Sequence, residues 1–240
     1  MTSALSIRNL SHCFGSRKAL DAISLDVEPG QFAALLGING AGKSTLFNLV
    51  TRLYDSRIGT IEVCGHDMRQ APKQALAKLG VVFQSQALDT NLTLAQNFVY
   101  QGALHGLTRA ESLSRSEALL DKVRLSDRVG DKVRALSGGQ VRRAEIARAL
   151  LHGPELLLCD EATVGLDVQS RTEIVADVHA MASDQGVGVL WASHLIDEIQ
   201  PSDEVIIIHQ GRLLITGRAD DISGGASLSD AFLSLTGRDA

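Results

Sequence analysis

At residues 37–44 the chain reads Gly37-Ile38-Asn39-Gly40-Ala41-Gly42-Lys43-Ser44, which fits the spacing G-x-x-x-x-G-K-[ST]. This spacing is typical of a loop that wraps the phosphates of a nucleoside triphosphate, because glycines let backbone N–H groups turn toward phosphate oxygens. The lysine then reaches the β- and γ-phosphates, and the serine hydroxyl is available to Mg²⁺. The candidate phosphate-binding residues are Gly37, Asn39, Gly40, Ala41, Gly42, Lys43, Ser44 and Thr45.

The segments on either side of this loop support the same interpretation. An apolar run predicts a strand over 31–36, and leucines at helical spacing predict a helix over 43–54. Strand, loop and helix in this order aim the helix N-terminus at a bound anion. A plain glycine-rich turn with a solvated lysine would leave both flanking elements unexplained.

Composition is ordinary for a globular protein and excludes several classes. The 240 residues, 45% of them hydrophobic, suit one large domain or a core with an inserted subdomain. No apolar run approaches the roughly 18 residues that a membrane span needs, and the first residues show no signal pattern, so we expect a cytoplasmic chain. Three scattered cysteines, Cys13, Cys64 and Cys159, favour neither a disulfide framework nor a zinc site.

The charge balance argues against a broad nucleic-acid surface, since the net charge is −5. Residues 105–150 are nevertheless mildly basic, with ten Lys and Arg against six Asp and Glu. A patch of this kind is more often a solvated face than a binding surface. We expect no nucleic-acid partner.

The order of predicted elements indicates an α/β protein. Strands are predicted at 23–27, 60–63, 81–83, 156–159, 187–192, 205–208 and 213–216. Between the third and fourth of these the chain becomes helical, with capping boxes beginning at Thr93 and Thr108 and a further helix over about 139–152. Another helix is predicted over 169–183. The pattern favours a parallel sheet interrupted by a helical insertion.

Two acids end the predicted strand at 156–159. In an open parallel sheet ligands bind at the carboxyl ends of strands, so Asp160 is placed to hold Mg²⁺. Glu161 points to the other face and could take a proton from an attacking water. Adjacent acids are also common where loops begin, so the phosphate loop is what makes this pair informative.

A second candidate anion site lies far along the chain. Leu136-Ser137-Gly138-Gly139-Gln140 opens a predicted helix with two glycines, which can form another nest of N–H groups. Taken alone, the pentapeptide would favour a flexible helix cap.

Taken together, these motifs resemble the nucleotide-binding subunit of an ATP-binding cassette (ABC) transporter, over roughly residues 5–237. The motifs that carry the resemblance are Gly37–Ser44, Gln84, Leu136–Gln140, Asp160-Glu161, Gly165-Leu166-Asp167 and His194. The implied fold is a P-loop NTPase cassette: a RecA-like parallel-sheet core, an N-terminal antiparallel β-subdomain and an inserted α-helical subdomain. The implied bounds within the single domain 1–240 are 1–84 with 154–222 for the core, 85–153 for the helical subdomain and 223–240 for the tail.

The resemblance implies a head-to-tail dimer that closes around two ATP molecules with Mg²⁺. Each ATP would lie between the phosphate loop of one subunit and the segment Ser137, Gly138, Gly139 and Gln140 of the other. The implied catalytic residues are Glu161 as general base, His194, Lys43 and Gln84. The implied metal ligands are Ser44, Gln84 and Asp160. Asp167 would link the two sites across the dimer. Because both acids, the segment Ser137–Gln140 and His194 stand in one chain, two copies would make two complete sites. We therefore expect a second copy of this subunit as the partner, with a heterodimer as the alternative.

The sequence departs from the family pattern at two positions. Phe14 stands where the family usually has a tyrosine that stacks on adenine; stacking needs only the π-face, although a plain core phenylalanine is the alternative. Ala162 replaces the proline that usually follows the catalytic glutamate, which removes no catalytic atom. We therefore expect hydrolysis to persist.

Residues 163–171, 88–107 and the tail 228–237 look like the ATPases that serve ABC-2-type exporters. That implies a transmembrane permease as partner, docked near residues 84–100, and a place on the cytoplasmic face of the membrane. The rivals are an ABC-type ATPase of nucleic-acid maintenance or translation and a nucleotide sensor without turnover. An ATPase of nucleic-acid maintenance would carry long coiled coils between the phosphate loop and the segment at Ser137. A translation ATPase would carry two cassettes in one chain. A nucleotide sensor would lack Glu161 or His194.

Overall fold

The computed structural model describes residues 2–237, which form ten strands and eight α-helices. The strands are β1 Leu5–Phe14, β2 Arg17–Val27, β3 Phe32–Leu36, β4 Ile58–Val63, β5 His66–Asp67, β6 Leu79–Val82, β7 Leu156–Asp160, β8 Gly188–Ser193, β9 Glu204–His209 and β10 Arg212–Arg218. The helices are α1 Lys43–Val50, α2 Pro72–Ala77, α3 Leu94–Leu104, α4 Arg109–Lys122, α5 Gly138–Ala149, α6 Val168–Gln185, α7 Ala219–Ser223 and α8 Leu228–Thr236.

The central sheet has six strands in the order β10-β9-β3-β8-β7-β6. The four pairings among β9, β3, β8, β7 and β6 are parallel, as the sequence predicts. The predicted strand at 213–216 is the edge strand β10, which is antiparallel to β9, so the predicted parallel arrangement does not extend to this edge. The reason is the two-residue connection Gln210-Gly211: φ values of 47° and 77° suit a tight hairpin turn, whereas a parallel partner needs a long crossover.

A second, antiparallel sheet is formed by the strands β2-β1-β4-β5. Within β2 the predicted alternation is confirmed, since Ile23, Leu25 and Val27 are buried and Ser24 is exposed. This sheet, α1 and one face of the central sheet enclose one apolar cluster. The antiparallel subdomain implied by the family resemblance is therefore present.

The insertion between β6 and β7 contains α3, α4 and α5. Both predicted capping boxes form, at Thr93 and Thr108, and Ser137 caps α5 in the same way. These helices and α6 cover the opposite face of the central sheet in a second apolar cluster. Cys159 lies there, fully buried, as a small apolar side chain.

Helix α1 is shorter than predicted. It ends at Val50 because Arg52 adopts a left-handed φ of 58° and the Tyr54 N–H turns back to donate to Asn48 O. The sequence prediction also missed β1 and α8, as well as the short elements β5, α2 and α7. Within residues 2–237 no helix combines the length and apolar character that a membrane crossing demands.

Candidate functional site

The loop between β3 and α1 has the geometry that its glycines predict. Gly42 adopts a φ of 113°, and a Cβ there would stand 2.8 Å from Leu20 Cδ2. A Cβ on Gly37 would lie 2.7 Å from Ile208 O. Both positions therefore require glycine, one for its backbone conformation and both for close packing.

Lys43, the first residue of α1, lies beneath this loop and is 5% exposed. Its ammonium donates a hydrogen bond to Gly37 O at 2.7 Å. The charge is thus held against the loop's own backbone, where the β- and γ-phosphates of a bound nucleotide would meet it.

Glu161 is the centre of the predicted catalytic residues. Its Oε1 lies 3.6 Å from Lys43 Nζ and 3.5 Å from His194 Nδ1. Its Oε2 accepts a hydrogen bond from Gln84 Nε2 at 3.2 Å. Three residues that are far apart in the sequence therefore meet at the Glu161 carboxylate.

The backbone of Glu161 is unusual for a non-glycine residue. Its φ is 48°, a left-handed conformation that costs about 1–2 kcal/mol. The Glu161 N–H donates to Ala192 O at 3.0 Å, which ties the end of β7 to the end of β8. Strain of this kind is tolerated where the surroundings fix a functional side chain.

Asp160 precedes Glu161 and fits the role of a metal ligand. Its Oδ1 is buried without a hydrogen-bond partner among the described residues. Burial raises the pKa of this carboxyl, the neighbouring Glu161 raises it further, and Lys43 partly opposes both. A buried oxygen with no donor suits a hard cation such as Mg²⁺.

A cavity of about 520 Å³ opens over the phosphate loop. Its lining includes the predicted residues Asn39, Gly40, Ala41, Gly42, Lys43, Ser44, Thr45, Glu161 and Phe14. Phe14 ends β1 and is 46% exposed, so the alternative of a plain core side chain is wrong. The rings of His12 and Tyr54 lie edge-on to it, with centroids 4.8 and 5.5 Å away.

Sequence reasoning missed part of this lining. Arg17, Lys18 and Gln210 also face the cavity. They reach it because the β1–β2 hairpin and the β9–β10 hairpin fold against the phosphate loop, where the Gly211 N–H donates to Ala41 O at 2.9 Å. The only local signal was a basic pair at the start of β2, and nothing in it specified this neighbour.

The second candidate nest, Ser137–Gln140, forms a helix-capping box and stands apart from the phosphate loop. The Ser137 hydroxyl accepts from the Gln140 N–H at 3.3 Å, and Gln140 Oε1 accepts from the Ser137 N–H at 2.9 Å. Ser137 and Gly138 are exposed, whereas Gly139 is buried against Ser170. None of Ser137, Gly138, Gly139 and Gln140 belongs to the described lining of the cavity over the phosphate loop.

Asp167 caps helix α6. Its Oδ1 accepts from the Ser170 N–H at 2.9 Å and its Oδ2 from the Ser170 hydroxyl at 2.7 Å. These hydrogen bonds, the backbone one first, lower the pKa of the carboxyl. The predicted link from Asp167 to a second subunit stays a prediction.

The segment that carries Gln84 is fixed from α5. Arg142, 8% exposed, donates to Phe83 O at 2.7 Å and to Gln84 O at 2.8 Å. It also pairs with Glu145, whose Oε1 accepts from the Ala87 N–H at 2.6 Å. The helix that begins at the second nest therefore holds the backbone of Gln84.

Comparison with known proteins agrees with this geometry. The family model described as ABC transporter matches residues 20–164. The chain is 35% identical to the linearmycin resistance ATP-binding protein LnrL of Bacillus subtilis over 97% of its own length and 74% of that protein. It is also 35% identical to the Nod factor export ATP-binding protein I of Cupriavidus metallidurans, over 92% of its length and 73% of that protein. A solved structure described as the ATP binding subunit of an ABC transporter superposes with a TM-score of 0.85 at 27% identity, covering 97% of this chain and 99% of that one.

Proposed function

This chain belongs to the ABC transporter family as an ATP-binding and ATP-hydrolysing subunit, and from that premise we propose that it drives ABC-2-type export by closing head to tail with a second copy around two ATP molecules. Export is supported by the relatives, one named for Nod factor export and another for linearmycin resistance. The observation that carries the hydrolytic part is the convergence of Lys43, Gln84 and His194 on the Glu161 carboxylate.

The arrangement assigns a task to each of these side chains. Lys43 places positive charge where the transferred phosphoryl group gains negative charge. Glu161 accepts a proton from the attacking water. In this structure its carboxylate pairs with Lys43 Nζ at 3.6 Å, so it lies beside the charge that would meet the γ-phosphate. Gln84 and His194 orient that water from either side of the carboxylate.

Mg²⁺ is the metal that this site fits. Asp160 supplies a buried oxygen that has no hydrogen-bond donor among the described residues. Ser44 is exposed and lines the cavity together with Glu161, which directly follows Asp160, and Gln84 lies beside Glu161. When bound, the ion would neutralise charge on the β- and γ-phosphates. In this proposal Ser44, Gln84 and Asp160 hold it, directly or through water.

Dimer closure is supported by the separation of the two nests within one chain. The residues Ser137–Gln140 do not line the cavity of their own chain, and in this proposal they complete the cavity of a second copy. Val164 and Val168, which flank Asp167, are 39% and 67% exposed. Apolar side chains at these positions fit a surface that a second copy covers.

The membrane partner would dock along the groove between the core and the helical insertion, at the cytoplasmic face. A groove of about 380 Å³ there is lined by Gln84, Gln86, Thr90 and Arg134, among others. The helices α3 and α4 are only 11 and 14 residues long, which disfavours the coiled-coil class of nucleic-acid maintenance ATPases.

Two experiments test the proposal. The Glu161→Gln variant should bind Mg-ATP, hydrolyse it far more slowly and elute as a dimer in size-exclusion chromatography. The same variant carrying Ser137→Arg should bind ATP yet stay monomeric; dimerisation of both, or of neither, contradicts the closure. Purification from native membranes in mild detergent should recover a multi-span protein, and recovery of a ribosomal or nucleic-acid partner instead would overturn the export function.

A further inference from the structure

Glu198 is a buried carboxylate that the proposed reaction leaves without a task. It lies just beyond β8 and is 4% exposed. Trp191 Nε1 donates to its Oε2 at 2.9 Å, the Ser193 hydroxyl donates to the same oxygen at 2.5 Å, and the Thr163 hydroxyl donates to Oε1. All three donors are uncharged, so hydrogen bonds hold this carboxylate in place.

The donors belong to the two segments that carry the reacting groups. Thr163 lies in the loop between Glu161 and Asp167, and Ser193 directly precedes His194. The Ser193 hydroxyl also accepts from the Leu195 N–H at 3.0 Å. One hydroxyl bound to Glu198 therefore fixes the residues on both sides of His194.

We propose that Glu198 is a positioning residue that locks the loop after Glu161 to the turn carrying His194, and so sets the geometry of the Glu161–His194 pair. That pair is separated by 3.5 Å between Oε1 and Nδ1. Removing the acceptor would leave buried donors unpaired, and the two segments would shift to find other partners. This inference rests on the proposed role of His194 in hydrolysis.

The expected consequence falls on turnover and not on nucleotide affinity. Neither Glu198 nor its donors are among the residues that line the cavity over the phosphate loop. A displacement of about 1 Å at a catalytic group can lower a rate by up to about 100-fold while ground-state binding is kept. A change at Glu198 should accordingly lower kcat and leave KM for ATP nearly constant.

The main test is Glu198→Gln, which keeps the side-chain shape but turns one acceptor oxygen into an NH₂ donor. We expect kcat to fall about tenfold, within the range for misplaced catalytic groups, with KM changed less than twofold. The matched control is Asp203→Asn. Asp203 is equally buried at 5% exposed and accepts from the Gln200 N–H and pairs with His179, so its loss should leave kcat unchanged.

A double-mutant cycle with His194→Ala separates positioning from a general structural role. In single-turnover assays, adding Glu198→Gln to His194→Ala should change the rate less than twofold. An undiminished tenfold loss in that background would overturn the inference, as would a wild-type kcat in a folded Glu198→Gln protein. If Glu198→Gln does not fold, Thr163→Val and Ser193→Ala each remove one donor and should show the same dependence on His194.

A spectroscopic readout is also available because the chain has a single tryptophan. In Glu198→Gln the emission of Trp191 should shift to shorter wavelength, since a carboxylate at the indole N–H stabilises the excited state. The proposed function fails separately: it fails if Glu161→Gln does not dimerise with Mg-ATP, whereas the positioning role fails if Glu198→Gln turns over normally.

Discussion

Replacing Phe14 with alanine should weaken ATP binding and leave binding of inorganic triphosphate unchanged. The ring stands at the rim of the cavity with 46% of its surface exposed, where it can present a face to a purine base. Its own fold contacts are the two edge-on rings of His12 and Tyr54. Because it is half exposed, its truncation should cost the fold about 1 kcal/mol.

The loss for ATP can be estimated from stacking. A base on an aromatic ring contributes about 1–3 kcal/mol by alanine substitution, so the Kd for ATP should rise roughly 5- to 150-fold. Triphosphate has no base to stack, and the loop 37–45 that would bind it is not touched by Phe14→Ala. Phe14→Tyr keeps the π-face and should bind ATP as the wild type does.

Isothermal titration of both ligands to wild type, Phe14→Ala and Phe14→Tyr measures these differences directly. An equal loss for ATP and triphosphate would mean that the substitution disturbs the loop. An unchanged Kd for ATP in Phe14→Ala would show that this ring does not stack on the base. Either result would refute the assignment.

Three further outcomes concern the loop and two histidines. Gly42→Ala should weaken nucleotide binding at least tenfold and lower the free energy of unfolding by about 1–3 kcal/mol, because a Cβ would lie 2.8 Å from Leu20 Cδ2 at a φ of 113°. Gly40→Ala has open space around the Cβ and should lose less affinity and less stability. Calorimetry of nucleotide binding and thermal melts compare the two variants. Burial lowers the pKa of His179, but hydrogen bonds to Asp203 and Val175 O outweigh it and raise the pKa above 6.5. The stability that comes from the charged His179–Asp203 pair should be fully present below pH 6.5 and be lost as pH rises through the folded pKa. Asp203→Asn should therefore lose more stability below pH 6.5 than above the folded pKa, where only pH-independent contacts such as the Gln200 N–H bond are affected; urea melts across pH measure this difference. Burial, and then the charge of His105, lowers the pKa of His152 to about 4. The free energy of unfolding should therefore fall as pH drops from 6.5 toward 4, by no more than about 2 kcal/mol because the side chain is partly exposed. His152→Leu should remove this pH dependence in the same melts.

Local patterns were enough to predict the parts of the site that lie in one segment. The phosphate loop, the two capped helices of the insertion and the acids after β7 are each specified by neighbours in sequence, so spacing and periodicity identify them. The early end of α1 at Val50 was not predicted, because the left-handed backbone of Arg52 depends on how the following chain packs.

Other features arise only when distant segments meet. The burial of Arg142 depends on hydrogen bonds to the carbonyls of Phe83 and Gln84, nearly sixty residues away. The sequence around Arg142 gives no signal that predicts these partners. The cluster around Glu198 likewise joins Thr163 and Trp191 through the fold. The strand at 213–216 was predicted, but its antiparallel pairing was not, because a Gln-Gly pair is a weaker hairpin signal than Asn-Gly.

The hairpin turn at Gln210-Gly211 has a consequence for how a nucleotide is received. Gly211 is hydrogen-bonded on one side to Ala41 in the phosphate loop and on the other to the Asp21 N–H in β2, at 2.9 and 2.8 Å. These two hydrogen bonds hold the surface for the base and the surface for the phosphates in a fixed relative position before a nucleotide binds. A nucleotide that contacts both surfaces therefore spends no binding free energy on aligning them. Any conformational change after binding should occur on the side of the cavity opposite this hairpin turn.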